Sequence, residues 1–189
     1  MINPFLIGGQ IYLRPLEMDD LERCQRWIND PQVRLFLDIT RPLNRIVEKE
    51  FLEKLSRAAG DPAGDIITAI VLKDGDRHIG NAGLHRLNLI DRHAEFGILI
   101  GERECWQKGY GTEATNLLCA YGFDTLNLHR ICLRVHSNNL RGLSAYEKAG
   151  FKQEGIMRQA VFRQDRYHDV ILMGLLREDY LDSRERAGR

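Results

Sequence analysis

Trp106-Gln107-Lys108-Gly109-Tyr110-Gly111-Thr112-Glu113-Ala114 is the stretch on which the reading of this 189-residue chain turns. Upstream lies the apolar run Phe96-Gly97-Ile98-Leu99-Ile100. Downstream, Ala114, Leu117, Leu118 and Tyr121 recur at the i, i+3, i+4, i+7 spacing of an amphipathic helix. The order is strand, loop, glycine-rich turn, helix. Glycines at a helix mouth let the backbone approach a bound group, and the first-turn N–H groups have no partner inside the helix. The helix dipole adds positive potential, so the turn is suited to a phosphate or pyrophosphate.

Taken alone, the turn also reads as a helix start whose glycines serve tight packing. A dinucleotide site fits less well. Gly109-Tyr110-Gly111-Thr112-Glu113-Ala114 matches G-x-G-x-x-A, but Gly101 to Lys108 separate it from the strand. The next strand candidate, Ile131 to Val135, runs into His136 where that fold needs an acid.

Around this centre the chain reads as one domain over residues 8–180, with a polar tail at 181–189 of which Ser183 to Arg189 is expected to fray. Hydrophobic residues make up 43% and charged residues 29%, and 27 Lys plus Arg balance 27 Asp plus Glu. A neutral chain of this composition does not suggest a nucleic-acid or membrane-surface partner. No apolar run is long enough to span a bilayer, and Met1-Ile2-Asn3-Pro4 lacks a signal-peptide pattern. Cys24, Cys105, Cys119 and Cys132 form no C-x-x-C pair, which suits reduced thiols in the cytoplasm. The six histidines lack metal-ligand spacing, so no metal is expected.

In chain order, a first strand is expected over Gln10–Leu16, with Ile11, Leu13 and Pro15 on one side. A helix follows from Asp19 or Asp20 to Asn29 with Leu21, Cys24, Trp27 and Ile28 inward, then a short helix from Pro31. Leu43 to Ala59 is helical by pattern, with Val47, Phe51, Leu52 and Leu55 on one face. After the loop Gly60–Asp65, strands at Ile66–Leu72, His78–Leu89 and Ala94–Ile100 make an antiparallel meander. Its first turn is marked by Asp74-Gly75. Beyond the glycine turn come a helix over Gly111–Thr125, a strand at Arg130–Val135, a helix at Leu140–Ala149 and a last hairpin, Phe151–Phe162 with Tyr167–Leu175.

A second motif is more specific. Asn139-Leu140-Arg141-Gly142-Leu143-Ser144-Ala145-Tyr146-Glu147-Lys148-Ala149-Gly150-Phe151 resembles the segment N-x-x-A/S-x-x-x-Y-E-K-x-G-F of the GNAT superfamily of N-acetyltransferases. Gly142 departs from it. The glycine turn resembles that family's pyrophosphate loop, Q/R-x-x-G-x-G/A, with Trp106 where Gln or Arg is usual. The opening Tyr12-Leu13-Arg14-Pro15-Leu16 and Ala94-Glu95-Phe96 look like the ribosomal-protein-type and polyamine branch. The implied fold is mixed α/β: a central sheet with two parallel strands splayed apart, and flanking helices.

The resemblance implies acetyl-CoA as co-substrate and a primary amine as acceptor. It leaves homo-oligomer formation open. Gln107, Lys108, Gly109, Tyr110, Gly111 and Thr112 would take the pyrophosphate, Lys108 adding charge unless it is merely solvated. Ile98, Leu99 and Ile100 would hydrogen-bond the pantetheine arm, and the strand would lend a backbone N–H to the thioester oxygen. Tyr146 is the candidate general acid, or a core aromatic; Asn139 bonds the pantetheine amide, caps its helix, or both. Glu95 is the candidate base, or a strand carboxylate paired with an arginine. His85 and His136 are the histidines whose strand positions could reach a cleft. Only Asp38 stands where polyamine enzymes carry an acidic pair, and His85-Arg86 replaces further acids. A peptide N-terminus or small amine is therefore expected ahead of a polyamine. A CoA-binding module without catalysis is the rival class, and Tyr146 argues against it.

Overall fold

The computed structural model of the chain describes residues 1–58 and 61–187. Eight strands form one sheet: β1 (Leu6–Ile7), β2 (Ile11–Pro15), β3 (Ile66–Leu72), β4 (His78–Asn88), β5 (His93–Ile100), β6 (Arg130–His136), β7 (Lys152–Arg163) and β8 (Arg166–Leu176). Their spatial order is β1-β2-β3-β4-β5-β6-β8-β7. Helices are α1 (Leu21–Asn29), α2 (Arg45–Ala58), α3 (Tyr110–Ala120), α4 (Leu140–Lys148) and α5 (Arg177–Ala187). Strands β1 to β5 are an antiparallel meander, β5 and β6 are parallel, and β6, β8 and β7 are antiparallel again.

The parallel pair is what positions the site. It is joined only at His93–Arg130, Ala94–Ile131 and Glu95–Cys132. Beyond Glu95 each strand keeps its outer neighbour and loses the inner one. Strand β5 stays on β4 as far as Ile100 opposite Gly80, and β6 stays on β8 as far as His136 opposite Val170. Below the parting, Leu84, Leu118, Phe123, Leu128, Ile131 and Met173 are essentially inaccessible. Each such side chain contributes about 1.5–3 kcal/mol of burial. Helix α3 lays Ala114, Leu118 and Cys119 on this core.

Helix α1 buries Leu21, Cys24 and Trp27, with Ile28 only half-buried. Trp27 lies against the end of β5: a Cβ on Gly101 would come within 2.0 Å of its ring. Its indole N–H donates to Glu102 at 3.0 Å.

Four expectations are corrected. Pro15 is exposed, and Tyr12 is buried with Ile11 and Leu13, because β2 packs on both faces. Helix α2 faces inward through Glu48 and Leu52, while Val47 and Phe51 are 44% and 41% exposed. Its entry is set by Asn29, which accepts from the Leu43 N–H and donates to the Leu43 carbonyl, and by Asn44, which caps the Val47 N–H. These contacts rotate the helix away from its most apolar face. The segment after Pro31 makes one turn of 3-10 helix, Arg34–Phe36. The polar tail is helical as far as Ala187, in a helix whose start is held by Tyr180, which stacks on Phe123 at 4.9 Å and donates to Asp124 at 2.8 Å. The expected helix end Ala59, loop start Gly60 and tail end Gly188 and Arg189 lie outside the described residues. Among the described residues no helix is long and apolar enough to cross a membrane, and all four cysteines are free thiols.

Candidate active site

A cleft of about 660 Å³ opens where β5 and β6 part. Phe96 to Ile100 form one wall; Arg134 to His136 and the inner face of α4 form the other. The β5 edge has no strand partner here, so its backbone hydrogen-bonding groups face the cleft. At the mouth, Gly109 caps α3 with φ +86° and no side-chain cap, which leaves the first-turn N–H groups free. Gln107 is also left-handed, at φ +61°. A Cβ at Gly109 would meet nothing within 4 Å, and one at Gly111 nothing closer than 3.9 Å. These glycines open on empty space and not on packed protein, which removes the packing reading and suits a phosphate-bearing ligand.

Tyr146 lines the cleft from α4 and is 8% exposed. Its ring stands edge-on to Phe96 at 6.2 Å and to Phe151 at 6.1 Å, so core aromatic and cleft residue are one side chain. No protein group among the described residues hydrogen-bonds its hydroxyl. Burial pushes the phenol up to about 12, so it stays protonated through the neutral range. Asn139 accepts from the Gly142 N–H at 3.1 Å and thereby caps α4, while also lining the cleft. Glu95 lines the cleft too, but Arg86 holds it at 2.7 Å. Arg86 reaches it from a bulge in β4, at φ +51°.

The family model described as Acetyltransferase (GNAT) domain matches residues 10–152. This chain belongs to the GNAT acetyltransferase family. It is similar to the spermidine N(1)-acetyltransferase of Vibrio cholerae, 32% identical over 180 residues, which span 95% of this chain and 100% of that one. An uncharacterized N-acetyltransferase, p20 of Bacillus licheniformis, is 28% identical over 93% of this chain and 97% of its own length. The crystal structure of the Vibrio cholerae spermidine N-acetyltransferase in complex with CoA and spermine superposes with a TM-score of 0.80 at 30% identity, covering 92% and 99% of the two chains. The chain is thus an N-acetyltransferase, and the mixed α/β sheet with its parted parallel strands is the GNAT fold.

In this acetyltransferase the cleft gathers Ile98, Leu99, Ile100, Gln107, Gly109, Tyr110, Gly111, Thr112 and Asn139 with Tyr146 and Glu95. Lys108 is not among them; its side chain is exposed outside the cleft. Of the two strand histidines, His136 lines the cleft and His85 does not. The His85 ring lies over Gly97, with Nδ1 3.3 Å from Asp65.

Two features escaped the sequence reading. Arg141 stacks on Trp106 at 3.8 Å, with Phe36 at 5.8 Å, and the Trp106 indole N–H donates to the Ile100 carbonyl at 2.8 Å. Burial lowers the Arg141 pKa without neutralising it, since a guanidinium stays charged. Its one sequence signal was a cation in the first turn of a helix, where the dipole disfavours it. The second is the pairing of His136 with Asp38, each noted singly in the sequence but 98 residues apart in the chain.

Proposed function

We propose that the enzyme transfers the acetyl group of acetyl-CoA to a primary amine by direct attack, in a single domain over residues 8–180 working in the cytoplasm. The observation that carries this is the parted β5–β6 cleft ending on an open helix mouth. Backbone groups of Gln107, Gly109, Tyr110, Gly111 and Thr112 receive the pyrophosphate there, with exposed Lys108 adding only long-range charge. Ile98, Leu99 and Ile100 hydrogen-bond the pantetheine arm along the free strand edge, and Asn139 bonds its amide while capping α4. A β5 N–H polarises the thioester carbonyl. Tyr146 hands its phenolic proton to the departing thiolate as general acid. Glu95 draws the acceptor ammonium to the cleft wall, although Arg86 competes for its charge.

The acceptor is a peptide N-terminus or a small amine in preference to a polyamine. The acids of the cleft are Asp38 and Glu95; Arg86 matches the charge of Glu95, and Arg134, Arg141 and Lys148 line the same space. A flexible polycation needs carboxylates that are not already matched. The polyamine reading keeps its own support in the relatives named for spermidine.

An acceptor screen following thiol release from acetyl-CoA tests both readings. N-terminal peptides, polyamines, amino sugars and aminoglycosides are compared by kcat/KM. Spermidine exceeding every peptide and small amine would reverse the ranking; no release with any amine would remove acetyl transfer itself.

A further inference from the structure

His136 is the last residue of β6, where that strand has left β5, and it lines the cleft with its side chain only 6% exposed. Its Nε2 lies 3.3 Å from Asp38 Oδ1, while its Nδ1 is buried without any partner. A carboxylate accepts, so the proton sits on Nε2 and Nδ1 keeps a free lone pair. The backbone leading into Asp38 is anchored: Arg163 of β7 donates to the carbonyl of the preceding Leu37 at 2.9 Å. A buried, carboxylate-oriented imidazole with one idle nitrogen is the arrangement of a general base. Glu95, with Arg86 at 2.7 Å, is not idle in this way.

We propose that His136, oriented by Asp38, is the base that takes the proton from the acceptor ammonium. The assignment rests on the acetyl-transfer reading above. His136 Nδ1, enclosed in the free protein, meets the ammonium once the acceptor opens the cleft wall around it and removes one proton; the freed amine forms the N–C bond as the thioester C–S bond breaks. Tyr146 protonates the sulfur, and the second amine proton returns to the phenolate through water. His136 then releases its proton to solvent, so one proton leaves per amide formed.

Burial lowers the His136 pKa below the ordinary histidine value, Asp38 opposes that shift, and Arg163 and His168 reinforce it. The ring is therefore neutral and receptive at pH 7, and kcat/KM falls as pH drops through its pKa.

The test is a pH–rate profile on the full-length enzyme with one peptide acceptor, so that the acceptor's own ionisation is common to all variants. His136→Ala should lower kcat about 10²-fold, leave KM for acetyl-CoA near the parent value, and be rescued saturably by added imidazole. Asp38→Asn, at a side chain 70% exposed and safe for folding, should lower kcat severalfold and move the acidic limb to lower pH. A His136→Ala rate within threefold of the parent overturns the proposal. So does an acidic limb that survives His136→Ala but vanishes in Glu95→Gln, or a D38N profile that coincides with the parent. A parent that releases no thiol with any amine of the acceptor screen would instead remove the acetyl-transfer reading beneath it.

Discussion

The two halves of β5 have opposite jobs. From His93 to Glu95 the strand is hydrogen-bonded on both sides, and inward Ala94 is fully buried. From Phe96 to Ile100 it keeps β4 and loses β6, and its free edge becomes a cleft wall. The same contrast holds for two glycines near its end. Gly101 is filled from outside by the Trp27 ring, whereas Gly111 looks into the cleft. The lower half follows packing rules, and the upper half leaves room and backbone donors for a ligand. The largest expected effect bears on the parted half. Tyr146→Phe keeps the ring among Phe96 and Phe151 and deletes only the hydroxyl. Turnover should fall about 10²-fold or more, with acetyl-CoA affinity and thermal midpoint nearly unchanged. A rate within threefold of the parent would make Tyr146 a core aromatic and no more.

Gly101→Ala probes the packed side. A methyl group driven into a buried indole should cost about 1–3 kcal/mol, read as a lower midpoint in thermal or urea unfolding. An unchanged midpoint would mean that Trp27 is free to move. Gly111→Val probes the open side and should do the reverse. We expect acetyl-CoA affinity to weaken about tenfold or more, roughly 1.4 kcal/mol, by calorimetric titration, with stability little altered. Gly109→Val is a poorer probe, because φ +86° makes any side chain there strained by about 1–2 kcal/mol. Lys108→Ala marks the lower limit: an exposed cation outside the cleft should shift stability by less than about 0.5 kcal/mol and acetyl-CoA affinity hardly at all. A tenfold loss would bring Lys108 back to the phosphates.

Much of this contrast was legible in the chain. The apolar run before Trp106, the glycines at 109 and 111 and the helical spacing after them mark the strand, the open glycine mouth and the helix. Asn139 with Tyr146-Glu147-Lys148-Ala149-Gly150-Phe151 marked the second wall. The arginine partner expected for Glu95 is Arg86, which the bulge in β4 brings to it, and the same carboxylate lines the cleft.

The local periodicity of side chains, and the backbone freedom of glycine, are properties of neighbouring residues. They determined the elements, their order and the glycine mouth. Where β5 leaves β6, which face α2 buries, that Trp27 fills Gly101, that Arg141 stacks on Trp106 and that Asp38 reaches His136 were decided only by the tertiary structure. Each depends on surfaces that meet after the chain has folded back on itself, 98 residues apart in the case of Asp38 and His136. Periodicity carries no record of such meetings, because it reports which side of an element is apolar and not what will be packed against it.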